Sequence, residues 1–114
     1  MMFFIKIFYQ KIKDLLRFFY CLCCLQKLPK PLVSIFGGKL VSRDSVYYKK
    51  AMQLAEILAK QQFSILTGGG DGIMEAGLCG AIQHDKKRGL GVGIVGVDAE
   101  YVPLCDQKII FLGN

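Results

Sequence analysis

The chain has 114 residues, room for one domain, and is apolar for its size, at 53% hydrophobic with a mean hydropathy of +0.37. Its net charge of +6 is unevenly placed: residues 1–30 hold six of the fifteen Lys and Arg but one of the nine acids, which leaves the remainder nearly neutral. That neutrality excludes a nucleic-acid-binding face spread over the body of the protein.

Residues 3–25 read as a helix. Lys6, Gln10, Lys13 and Arg17 recur at intervals of four, three and four, which makes a single polar stripe, and Phe4, Phe8, Ile12, Leu15, Leu16 and Phe19 fill the other side. The stripe is too charged for a transmembrane span, and Lys6, Lys11 and Lys13 interrupt the apolar run that a signal peptide needs. Two readings stay open for this cationic leader: a helix lying on a membrane surface, or one that packs on the body or on a second subunit. Pro29 and Pro31 end it, so the chain divides into a leader, 1–30, and a body, 31–114.

The cysteines split in the same way. Cys21, Cys23 and Cys24 belong to the leader and Cys79 and Cys105 to the body. With a single histidine, His84, a four-ligand zinc site is not expected. The odd count suggests reduced thiols, with Cys79 as a small core residue.

The body opens with a short apolar strand, Leu32 to Phe36, that runs into Gly37 and Gly38. Ser42, Arg43, Asp44 and Ser45 supply N-cap residue types for a helix over roughly 45–61, with Val46, Ala51, Leu54 and Leu58 inward and Lys49, Lys50, Gln53, Glu56 and Lys60 outward. Residues 63–67 form a second strand and 72–84 a second body helix. Asp85 to Gly89 is a charged surface loop, Val92 to Val97 a third strand among glycines that call for close backbone approach or a bulge, and Lys108 to Leu112 starts a fourth. The order β-α-β-α-β predicts a partial Rossmann-like parallel sheet, helices on both faces, preceded by the amphipathic leader.

The most informative stretch is F-S-I-L-T-G-G-G-D-G-I-M-E-A, Phe63 to Ala76. Strand, glycine turn and helix make an anion site in α/β proteins, because helix-start N–H groups point outward and the dipole favours negative charge there. Gly70 and Gly72 give G-x-G, but Glu75 stands where a dinucleotide fingerprint has its third glycine, and no Gly-Lys-Ser/Thr follows. The bland alternative is a tight connection that binds nothing. Ligands of such folds sit beyond the carboxyl ends of the strands, and both Gly37–Gly38 and Gly68–Gly70 fall there.

V-S-I-F-G-G, then D-S-x-Y-Y, then T-G-G-G-x-G-I-M-E-A, then a glycine-rich strand, resemble the LONELY GUY family, once labelled possible lysine decarboxylases; the likeness covers about residues 32–98. The resemblance implies a Rossmann-like hydrolase that cleaves the N-glycosidic bond of a nucleoside 5′-monophosphate, giving free base and ribose 5-phosphate, with no metal or redox cofactor. Carried over, Gly37 and Gly38 would line the nucleotide pocket, Thr67, Gly68, Gly69, Gly70 and Gly72 would form its glycine turn, and Met74 and Glu75 would sit beside it at the helix start. The family pattern does not make Glu75 the catalytic acid. Its catalytic glutamate belongs to a second signature, P-G-G-x-G-T-x-x-E, and its catalytic arginine to an Arg-Lys pair shortly before that; neither occurs in these 114 residues, so no catalytic residue is assigned. The chain therefore reads as the amino-terminal half of such a protein, inactive alone, with a non-catalytic nucleotide-binding module and a membrane-surface or interaction fragment as alternatives. The expected partners are an AMP-like nucleoside monophosphate and a second copy or a complementing carboxy-terminal half, with no nucleic acid. The expected location is the cytoplasm, with the leader offering contact to a membrane surface.

Overall fold

The computed structural model describes residues 1–94 and 109–112. Helix α1 spans Met2–Lys27 and ends where Leu28, extended before Pro29, can no longer continue it. Strand β1 is Leu32–Ile35, helix α2 Val46–Lys60, β2 Ser64–Thr67, α3 Ile73–His84, β3 Gly89–Ile94 and β4 Ile109–Leu112, with one 3-10 turn at Lys86–Arg88. The four strands are all parallel and run in chain order β1-β2-β3-β4. The expected α/β class is thus the observed one.

Two layers pack on this sheet from opposite sides. Val33, Ile35 and Ile65 meet Ala55 and Ala59 of α2 and Ala81 of α3. On the other side Leu66, Leu90, Val92, Ile110 and Leu112 meet Cys21, Cys24, Leu25 and Leu28. The alternation along each strand accounts for the split, since successive side chains point to opposite faces. Both connecting helices therefore lie on one face, and the end of the leader covers the other. The last turns of α1 are part of the core.

The inward side of α2 differs from the sequence expectation. Tyr48, Ala55 and Ala59 are buried, whereas Val46 and Leu54 are 61% and 52% exposed. The cause is the closeness of α2 and α3: a Cβ on Gly80 would stand 2.2 Å from the Met52 carbonyl oxygen and 3.0 Å from Ala55 Cβ. Only small residues fit along that line, so the bulkier side chains are turned away. The N-cap expectation holds, with Ser45 Oγ accepting the Tyr47 N–H at 3.2 Å.

Strand β3 begins at Gly89, three residues before the expected Val92. Gly89 and Gly91 face α3, and a Cβ on Gly89 would meet Ile82 Cγ2 at 2.5 Å. The strand is apolar on one side and bare on the other, which an apolar-run reading does not register. The expected end of that strand, Val95 to Val97, and Cys105 lie outside the described residues. Cys79 is fully buried, as expected of a core residue, but it is disulfide-bonded rather than reduced, while Cys21, Cys23 and Cys24 are free.

Candidate functional site

The two glycine turns meet at the carboxyl edge of the sheet. Ile35 and Thr67 are paired at the ends of β1 and β2, so the segments that follow leave the sheet side by side. The Ile73 N–H donates to the Gly38 carbonyl at 3.2 Å. Gly72 caps α3 with φ +68°, and a Cβ there would lie 2.2 Å from Gly38 O. A Cβ on Gly37 would strike the Ile73 side chain. Gly37 and Gly72 are therefore demanded by the packing of one turn on the other, before any ligand is considered, while Gly38 contributes its carbonyl and a Cβ there would meet only Val41 Cγ2, at 3.2 Å.

The rest of the second turn is held from below. Thr67 Oγ1 accepts the Gly69 N–H at 3.1 Å, which makes the buried threonine a brace for the turn. Gly69 has φ +76°, and a Cβ on it would press on Ile109 Cγ2 at 2.7 Å. Gly68 has no such backbone demand; a Cβ there would meet only the Met74 thioether, at 3.0 Å, the far end of a flexible side chain. Gly70 is buried in the same turn. The structure thus brings Gly37, Gly38, Thr67, Gly68, Gly69, Gly70, Gly72 and Met74 into one neighbourhood at the start of α3.

Glu75, in the first turn of α3, is 1% exposed and is tied to the segment between β1 and α2. Its Oε1 accepts from Arg43 Nε at 2.8 Å and from the Tyr48 hydroxyl at 2.6 Å, and its Oε2 accepts from Arg43 Nη2 at 2.9 Å. This is the bidentate fork that guanidinium makes with carboxylate. The bond to Glu75 raises the Arg43 pKa further above its ordinary value; burial, followed by the bond to Glu75, pushes the Tyr48 phenol well above its own. A carboxylate so engaged serves as a latch between α3 and the start of α2.

Arg43 and Tyr48 were not among the sequence-derived site residues. Arg43 read as part of a capping stretch. A signal for the network was nonetheless present: Glu75 stands among Ile73, Met74 and Ala76 on a helix with little polar surface, and a carboxylate there must be paired.

One oxygen at this edge is left over. Asp71 Oδ1, in the loop just before α3, is buried with no hydrogen-bond partner. A buried acceptor without a donor is costly, and a hydroxyl or water donor would relieve it. A separate cavity of about 380 Å³ opens at the amino end of β3, between Cys24, Lys27 and Leu28 of the leader and Lys86, Lys87 and Leu90 of the body, so it is not part of the glycine-turn edge.

No curated protein matches the chain. The SLOG cluster4 family model matches residues 30–110, from the end of the leader into β4. That match covers most of the chain and takes in both glycine turns, the Arg43–Tyr48–Glu75 network, β1 to β3 and the start of β4, and with the observed parallel α/β sheet it makes this a Rossmann-like, nucleotide-related domain: the chain belongs to the SLOG cluster4 family.

Proposed function

We propose that the carboxyl edge of the sheet binds a nucleoside 5′-monophosphate, in the manner of LONELY GUY phosphoribohydrolases, and that these residues alone do not cleave it. The observation that carries the reading is the meeting of two glycine turns at the start of α3, where the helix dipole favours a phosphate. Asp71 adds to it, because a ribose hydroxyl is a donor of the kind its unpartnered oxygen lacks. Hydrolysis needs a carboxylate beside the cationic sugar and a donor for the leaving base. The family motifs that supply them are absent from the sequence, and Glu75 is engaged by Arg43 and Tyr48.

Calorimetric titration with AMP tests the binding. Gly69→Val is a poor probe, since φ and Ile109 would strain it whatever the turn binds. Gly68→Ala and Asp71→Ala are better, because neither meets backbone. Each should weaken AMP about tenfold, the worth of one good hydrogen bond or phosphate approach. Free adenine should not rise above blank. No binding to wild type, or undiminished binding to both variants, would leave the turns as structural only; adenine released in proportion to protein would refute the inactive reading.

A further inference from the structure

We propose that α1 docks on an anionic lipid surface, its aromatic side against the bilayer and the sheet on its opposite side. The argument begins with helical phase. The polar line Lys6, Gln10, Lys13 and Arg17 continues without a break in spacing into Cys21, Cys24 and Leu28, the line that packs on the sheet. Phe4, Phe8, Leu15 and Phe19 stand roughly 150° around the helix from that line, at about 100° per residue. Their exposures, 73%, 67%, 54% and 55%, follow from this placement. The sheet could cover them only by expelling Cys21, Cys24 and Leu28. A contiguous apolar surface of this kind marks an interaction site.

The charges select the occupant. Lys11 stands on the aromatic side itself, about 40° around the helix from Phe4, Phe8 and Leu15, and Asp14 is the only acid on the helix. The Lys13 ammonium sits 4.7 Å from the centroid of the Tyr9 ring, at the junction of aromatic and cationic surface. The fold adds Lys86 and Lys87, which share a cavity wall with Lys27 although they are remote in sequence. Nearer the amino end, Phe4, Ile5 and Phe8 line an open apolar recess of about 470 Å³ with Lys11 at its lip. Apolar floor with cationic rim complements a bilayer, whose acyl interior lies under anionic headgroups. A second copy of the chain would set these lysines against their own kind. Among the described residues no helix is long and apolar enough to cross the bilayer, so the geometry is that of a helix in the interface plane.

The test is flotation of the full chain with vesicles of phosphatidylcholine alone or mixed with phosphatidylglycerol, at low and high salt. Binding should be at least about tenfold stronger on the acidic vesicles, with high salt erasing most of that difference. Lys11→Gln/Lys13→Gln should weaken it about thirtyfold, roughly fivefold per lysine. Phe8→Ser/Phe19→Ser should abolish it while the circular dichroism spectrum stays that of wild type; both sites are exposed, so the body does not depend on them. Equal binding to neutral and acidic vesicles would overturn the proposal. So would undiminished binding by the double serine variant. A lipid-free dimer that this variant dissolves, together with no flotation of wild type, would overturn it in favour of a second copy.

Discussion

Helices α3 and α1 are both rich in apolar residues, yet one is enclosed and the other is not. Nearly all of α3 from Glu75 to Ile82 is buried, whereas in the 26 residues of α1 only Cys21 and Cys24 are. The difference lies in side-chain size and phase. Gly80 lets the α2 backbone come against α3, Gly77 admits the Ile35 side chain of β1, and Ala76 and Ala81 are fully buried. The bulky Phe and Leu residues of α1 lie on the side away from the sheet. Small residues make a helix easy to enclose from several directions; large ones need a partner of their own.

The comparison is broken most severely by putting a side chain where α3 has none. Gly80→Leu should cost about 3 kcal/mol or more, since a Cβ already meets the Met52 carbonyl at 2.2 Å and neither helix can yield without losing the Ala55 and Ala59 contacts. Urea denaturation would measure it, and an unchanged midpoint would mean that α2 and α3 are not so close. Leu90→Ala, on the opposite face, removes the 1%-exposed side chain against which the last turns of α1 pack, and should cost about 2–4 kcal/mol by the same measurement.

Tyr48→Phe sharpens the comparison at the polar end of α3. Loss of the 2.6 Å bond to Glu75 should cost about 1–2 kcal/mol at neutral pH. It should also alter the alkaline limb. The folded phenol has a raised pKa, so its contribution is fully present below the ordinary value of about 10 and is lost as pH rises above it, where the unfolded chain ionises first. Wild-type stability should fall on that limb more steeply than that of Tyr48→Phe; parallel curves would show that the phenol is not shielded.

The smaller effects lie outside the core. Gln62 leaves α2 with φ +70°, a conformation glycine adopts freely; its N–H donates to the Ala59 carbonyl and its C=O accepts from Arg88 Nη1, and glycine keeps both groups. Gln62→Gly should therefore stabilise by about 0.5–1 kcal/mol, seen as a higher melting temperature. Phe8→Ala, in the exposed part of α1, should change stability by less than about 0.5 kcal/mol despite the loss of a whole ring. A larger cost would show that α1 is covered in solution.

Much of this was legible in the sequence. The alternation of apolar strands with helical periods, broken by glycine turns, determined a parallel α/β sheet, because each local pattern has one period and one face. Gly37–Gly38 and Gly68–Gly72 could be placed at strand ends for the same reason. What only the tertiary structure decided depends on distance between remote segments. It showed that Gly37, Gly38 and Gly72 serve each other's packing, that Arg43 and Tyr48 close on Glu75, and that β3 starts at Gly89 because α3 presses on it. It also showed which side of α1 meets the sheet. Periodicity divides a helix into faces, but the choice between them rests on the shape of the opposing surface, and Cys21, Cys24 and Leu28 fit between Leu66, Leu90 and Ile110 where rings do not have to.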